Sequence, residues 1–215
     1  AQHELVAGNT GIAVNSTSND LYFFALPSMS PFGTLFLGNG RNPYTGALID
    51  NNNALITNLL SSTVTKVNIA TRSVIGEYSV GKSPEGVVIV GSTAYVCVTN
   101  FDFGNYTYGQ GYVQSFDLVS NAIVRTSSVG TNPEDIVLGY DGYLYVICSG
   151  NYATQSGILY RLAPASGSVV DSLPIGGAPG SLAITRSGVL FLSGGGWVDH
   201  GEVYTIDLNA FAVLR

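Results

Sequence analysis

A turn that returns four times constrains this chain more than any other feature. Gly-x-x-Pro occurs as Gly40-Arg41-Asn42-Pro43, Gly81-Lys82-Ser83-Pro84, Gly130-Thr131-Asn132-Pro133 and Gly176-Gly177-Ala178-Pro179. The prolines fall 41, 49 and 46 residues apart, a spacing that marks stacked supersecondary units. A short apolar strand follows each turn: Ala47-Leu48-Ile49, Val87 to Val90, Ile136-Val137-Leu138 and Leu182-Ala183-Ile184. A tight turn such as Gly91-Ser92-Thr93, Asp141-Gly142 or Ser187-Gly188 leads to a second strand, as hairpins require. Those second strands are Ala54 to Asn58, Ala94 to Asn100, Leu144 to Gly150 and Leu190 to Gly194. Third strands end alike, in Val67-Asn68-Ile69, Phe116-Asp117-Leu118, Tyr160-Arg161-Leu162 and Ile206-Asp207-Leu208. Fourth strands, such as Val74 to Val80 and Ile123 to Val129, lead into the next turn.

Four antiparallel strands per period are the pattern of β-propeller blades. The expectation is an all-β chain forming one propeller domain over residues 1–215, with blade one, about 8–39, irregular and shorter. The chain stops at Phe211-Ala212-Val213-Leu214-Arg215, where a fourth strand is due, and opens with His3-Glu4-Leu5-Val6-Ala7-Gly8. The N-terminal strand is therefore expected to close the last blade, removing an exposed edge. Counting Gly8 as a fifth turn gives five blades. The competing reading is a segment of a longer propeller.

Composition agrees with strands and narrows the partners. Charged residues are only 10% of the 215, against a usual share of about 25%. Tyr, Thr, Val and 27 glycines suit pleated strands and tight turns. A net charge of −6 with eight scattered Lys and Arg argues against nucleic acid, which is held by clustered basic residues. No apolar run approaches the ~18–20 residues of a spanning helix. The low charge, the Ala1-Gln2 start and the sequons Asn15-Ser16-Thr17 and Asn105-Tyr106-Thr107 fit a secreted or cell-surface protein. Cys97 and Cys148 sit at the third and fourth positions of equivalent strands and should face opposite sides of their sheets. Two buried free thiols are expected.

Ala94-Tyr95-Val96-Cys97-Val98-Thr99-Asn100, followed by Phe116-Asp117-Leu118 and by turns reading Gly-x-x-Pro-Glu-Gly or Gly-x-x-Pro-Glu-Asp, resembles the YVTN/YncE-like repeat of bacterial and archaeal surface proteins. Ala54-Leu55-Ile56-Thr57-Asn58 with Thr63 to Ile69 is a second copy. The resemblance covers roughly residues 40–215 and implies a propeller, usually exported and often part of cell-surface assemblies. It implies no single activity and carries over no catalytic residue. Such repeats are often associated with seven blades.

In a four-stranded meander, the loop after strand four and the loop between strands two and three leave on the same face. Here that face holds the longer loops, and long loops on a rigid scaffold are where recognition usually sits. They offer Phe101, Tyr106, Tyr108, Tyr152, Trp197, Asp199 and His200, while the Gly-x-x-Pro turns are expected to bring Arg41, Lys82, Glu85, Glu134 and Asp135 near the axis. These twelve residues are the candidate ligand or partner contacts.

Recognisable catalytic chemistry is sparse. His3 and His200 cannot build a three-histidine site, and no Cys-x-x-Cys, nucleophile elbow, phosphate loop or dinucleotide fingerprint appears. No cofactor and no metal are expected; Asp102 with Asn105, and Asp50 to Asn53, are weak calcium candidates that more often serve turns. Glu85 with Glu134 or Asp135 is the best acid pair, since glycoside hydrolysis needs two carboxyls about 5–10 Å apart. The alternative is that the acid after the proline caps its turn or pairs with Arg41 or Lys82. The leading expectation is a non-catalytic exported interaction or assembly module, in an extracellular layer or filament, with a protein partner or self-association. A carbohydrate-binding module and a propeller hydrolase or lyase are the alternatives.

Overall fold

The computed structural model describes residues 1–185, 187–194 and 201–214. Five four-stranded antiparallel sheets follow one another along the chain. The first contains β1 (His3–Ala7), β2 (Thr10–Asn15), β3 (Asp20–Ala25) and β4 (Ser30–Phe36). The second contains β5 (Pro43–Leu48), β6 (Asn53–Asn58), β7 (Thr63–Asn68) and β8 (Ser73–Ser79). The third pairs β9 (Pro84–Val90), β10 (Thr93–Val98), β13 (Tyr112–Asp117) and β14 (Ala122–Ser128), and a small hairpin of β11 (Phe101–Asp102) and β12 (Thr107–Tyr108) rises from it. The fourth contains β15 (Pro133–Leu138), β16 (Leu144–Cys148), β17 (Ile158–Leu162) and β18 (Val169–Pro174). The fifth contains β19 (Ser181–Ile184), β20 (Leu190–Gly194), β21 (Glu202–Asp207) and β22 (Ala212–Val213).

The repeat thus reads through into sheets, but the two ends of the chain differ from expectation. β1 pairs with β2, from His3 opposite Val14 to Ala7 opposite Thr10, so the N-terminal strand belongs to the first sheet and does not close the last one. Gly8, at φ +58°, belongs to the two-residue turn of that hairpin and is no counterpart of the Gly-x-x-Pro turns. The physical reason is proximity in sequence. A two-residue loop closes at far lower entropic cost than a pairing across the whole chain. The fifth sheet supplies its own fourth strand, β22, and the first, expected to be irregular and shorter, has four strands like the others.

The core lies between neighbouring sheets. Ile12 and Phe23 meet Ile56 and Val67; Leu55 and Val64 meet Val96 and Phe116; Val113 meets Leu144 and Val146; Ile147 and Leu159 meet Leu190 and Ile206. Each side chain fully buried this way contributes about 1.5–3 kcal/mol. β6, β10 and β16 are buried on both faces, which explains why they read as continuous apolar runs. β20 alternates buried and exposed. Val6 and Tyr22 on the first sheet, and Phe191 and Val203 on the fifth, are exposed. Among the described residues no apolar cluster joins the fifth sheet to the first, and the ring is not closed.

Cys97 and Cys148 are free and buried, as expected. Facing opposite sides of neighbouring sheets brings them into the same inter-sheet cluster, with Tyr95, Val146 and Leu162. Burial pushes both thiols up.

Candidate functional site

Contacts run from β1 to β5, β9, β15 and β19 in turn, making these first strands the inner edge of the array. In three of them the ladder slips directly after the turn proline. Between β5 and β6 the register jumps from Pro43 to Gly46, between β9 and β10 from Pro84 to Val87, and between β15 and β16 from Pro133 to Asp135. A bulge frees the residues it contains from strand alternation and re-aims their side chains. The freed residues include Tyr44, Glu85 and Glu134, each immediately after its proline. The residues preceding the prolines, Asn42, Ser83 and Asn132, sit in the left-handed region at φ +50°, +56° and +57°, a conformation that Asn tolerates better than most residues.

Tyr44, Glu85 and Glu134 line a cavity of about 210 Å3 together with Leu59, Phe101, Phe103, Tyr108 and Tyr152. The aromatic wall comes from the loop between strands two and three of the third sheet. Phe101 packs edge-on against Phe103 with centroids 4.8 Å apart, and lies 4.7 Å from the Tyr108 ring. Tyr108 in turn lies 6.2 Å from Tyr152. A second cavity, about 140 Å3, lies between Gln2, His3, Tyr44, Glu134, Asp135 and Ser181, and so brings the first and fifth sheets to the same axial space.

The three acids are held differently. Glu134 Oε1 accepts hydrogen bonds from the Tyr152 hydroxyl at 2.5 Å and from Asn132 Nδ2 at 2.8 Å. Its Oε2 lies over Gly180, where a Cβ would come within 2.8 Å of it. Burial pushes Glu134 up, and the bonds from Tyr152, Ser149 and Asn132 pull it back. Asp135 accepts from the backbone N–H of Ile136 and from that of Leu182, each at 2.8 Å, and so ties β15 to β19. Burial raises it too, with His3 counteracting. Glu85 keeps only 9% of its surface, and its Oε2 has no hydrogen-bond partner among the described residues. Burial pushes its carboxyl well above the usual carboxylate range, and Glu134 and Asp135 add to the shift.

The tyrosines respond to the same field. Burial, then Glu85 and Glu134, push Tyr108 up to about 12. Tyr44 and Tyr152 rise further, Tyr44 chiefly through burial and Tyr152 through burial and its bond to Glu134. His3 is lowered by burial, with Asp135 acting against the shift.

The cations of the first two turns pair with other carboxylates. Arg41 pairs with Glu77 at 2.9 Å, and Lys82 with Asp102 at 3.6 Å in an exposed pair. Among the described residues, therefore, the alternative pairing of the axial acids with Arg41 or Lys82 does not occur. Lys66, Arg125 and Arg161 reach backbone carbonyls of the next sheet, and Arg72 stacks on Phe32 of the preceding one. Tyr106 is 80% exposed on the rim of a separate surface depression with Gln110, Asn151 and Gln155. Trp197, Asp199 and His200 lie outside the described residues. The calcium candidates form turns: Asp102 Oδ1 accepts from the Gly104 N–H, and Asp50 from the Asn52 N–H and Asn53 Nδ2. Among the described residues no group of three or more His, Cys, Asp or Glu is arranged to hold a metal ion.

Of the expected contacts, the structure gathers Glu85, Glu134, Asp135, Phe101, Tyr108 and Tyr152 around these two cavities, together with Tyr44, Phe103, Gln2 and His3, which the sequence did not single out. The signal for Tyr44 was present, since it holds the same slot after proline as Glu85 and Glu134.

No protein-family model and no curated protein matches the chain. Solved structures do. Hydrazine synthase of Kuenenia stuttgartiensis superposes with a TM-score of 0.82 at 21% identity, over 97% of this chain and 63% of that one. Virginiamycin B lyase of Staphylococcus aureus gives 0.75 at 12% identity, over 99% and 68%. A chain of the mitotic checkpoint complex gives 0.76 at 10% identity, over 96% and 59%. The fold is propeller-like. The chain spans about two thirds of the length of these neighbours, and at these identities the likeness concerns fold alone.

Proposed function

We propose that this chain is the binding part of an exported propeller of the YVTN/YncE-like kind, recognising a partner at the cell surface through its inner-edge cavity. One observation carries the reading: three sheets deliver Tyr44, Glu85 and Glu134, through the same bulge after proline, into a cavity walled by the aromatic residues of one loop. Binding is favoured over acid–base catalysis because Glu134 and Asp135 are already engaged as hydrogen-bond acceptors inside the protein. Export is supported by the low charge and the sequons. The test is isothermal titration of the purified chain, and of Phe103→Ala, against peptide, amine and oligosaccharide panels. Saturable binding that Phe103→Ala weakens at least tenfold supports the reading. Turnover of any panel member without saturable binding overturns it.

Assembly is a second reading, favoured by the exposed apolar residues on the outer faces of the first and fifth sheets, Val6, Tyr22, Phe191 and Val203.

A further inference from the structure

The cavity is lined by two carboxyl groups and, among the described residues, by no Lys or Arg. Glu85 and Glu134 line it with Asp135 close behind, and every described Lys and Arg is engaged elsewhere. Glu85 is the informative member. A buried carboxylate oxygen without a partner is costly and calls for a donor. Around it stand acceptors and π-faces. The Tyr44, Tyr108 and Tyr152 hydroxyls are within electrostatic reach of Glu85, and the Phe101, Phe103 and Tyr108 rings form the wall. Carboxylate floor, phenol oxygens and aromatic wall are the complement of an organic cation, attracted by charge and by the ring faces together.

The geometry narrows the cation further. Glu134 Oε1 is already filled by Tyr152 and Asn132, and Glu85 Oε2 is buried, so no open two-oxygen face is presented for a guanidinium fork. An ammonium group is a compact charge with several N–H donors, each able to take a separate acceptor. We propose that the cavity binds a primary ammonium group, with Glu85 as its counter-ion and the Tyr44 and Tyr108 hydroxyls as further acceptors. This rests on the binding reading above and names the ligand class. Two sources share the chemistry: a free alkylamine, and a lysine side chain of a partner protein.

The experiment is titration calorimetry with five probes: n-butylammonium, n-butanol as the neutral isostere, tetramethylammonium as a cation without N–H donors, and a short peptide carrying one lysine in its free and in its acetylated form. n-Butylammonium and the lysine peptide are expected to bind at least tenfold more tightly than n-butanol and the acetylated peptide respectively, and tetramethylammonium more weakly than butylammonium. Glu85→Gln should reduce ammonium affinity at least tenfold. Phe103→Ala, at an exposed position that does not threaten folding, should reduce it severalfold. Preference for the lysine peptide over butylammonium assigns the source to a partner protein; the reverse assigns it to a free amine. Equal binding of charged and neutral probes, or unchanged affinity in Glu85→Gln, overturns the ammonium assignment. If oligosaccharide binds instead and Phe103→Ala weakens it, the binding reading survives without this one; if nothing binds, both fall.

Discussion

Tyr152 donates its hydroxyl to Glu134 at 2.5 Å from a backbone held at φ +58°. A bulky residue in the left-handed region is an outlier that the surroundings must enforce. Here the enforcing contacts are the bond to Glu134 and the packing against Tyr108. Tyr152→Phe should therefore raise the Glu134 carboxyl further and lower stability by about 1 kcal/mol, the scale of one such bond at a partly exposed position. Thermal unfolding should show a Tm lower by about 2–4 °C for a chain of this size, and an unchanged Tm would remove Tyr152 from the site's framework.

Glu85→Gln should stabilise the free protein near neutral pH. The folded-state carboxyl is raised by burial and by its acidic neighbours, so the protonated form is the one the fold tolerates. Stability from this group is complete below the ordinary Glu range and is lost as pH rises through the raised folded value. The glutamine variant should gain about 1–3 kcal/mol at neutral pH, the cost of an unsatisfied buried group, with the gain shrinking towards pH 4. Melting curves of both proteins across that range check the sign. His3, Tyr44, Tyr108, Tyr152, Glu134 and Asp135 surround the site and are shared by both proteins.

Gly86 is where β9 and β15 approach most tightly. A Cβ there would lie 2.7 Å from the Glu134 carbonyl oxygen and 2.8 Å from Asp135 Cα. Both obstacles are backbone, so nothing flexible can give way. Gly86→Ala should cost about 1–3 kcal/mol, the range for overpacking, and should shift the Tyr152 and Glu134 signals in an NMR spectrum. A silent substitution would mean that the two strands can separate freely.

The open faces of the end sheets make a separate prediction. Val203 is 66% exposed and Tyr22 38%. Tyr22→Lys with Val203→Lys should leave Tm within about 1 °C while lowering concentration-dependent association in sedimentation velocity. Loss of fold in the double variant would instead show that these faces are covered within the monomer.

The thiols offer a probe of global unfolding. Cys97 and Cys148 lie in the core between the third and fourth sheets and are raised by burial. Reaction with a thiol reagent should follow unfolding of that interface, slow in buffer and fast in denaturant. Rapid labelling in buffer would show that the two sheets separate readily.

The strands were legible because the Gly-x-x-Pro turn and the hairpin turns are local signals, and β6, β10 and β16 announce two-sided burial by unbroken apolar runs. Closure was not legible. Whether His3 to Ala7 pairs forward or backward depends on loop entropy, which the alternation of those residues does not record. The site was half legible for a related reason. Glu85 and Glu134 stand out as charges in a charge-poor chain, whereas Tyr44 looks like any strand tyrosine until the bulge at Pro43 is seen to turn it inwards. The partners of Arg41 and Lys82 were not legible, because adjacency in a turn does not fix the direction of a long side chain, and Glu77 and Asp102 were within reach.

The slip in register after three of the four turn prolines has a consequence for how such a chain changes over time. The residue in that slot contributes little to the ladder and faces no neighbour in the sheet, so its identity is nearly independent of the strand that carries it. Tyr44, Glu85 and Glu134 already show two answers at one structural address, and Gly180, directly after the fourth turn proline, a third. A repeat built this way keeps its frame constant while each copy is free to vary its own contribution to the centre, so new ligand preferences are reachable one codon at a time.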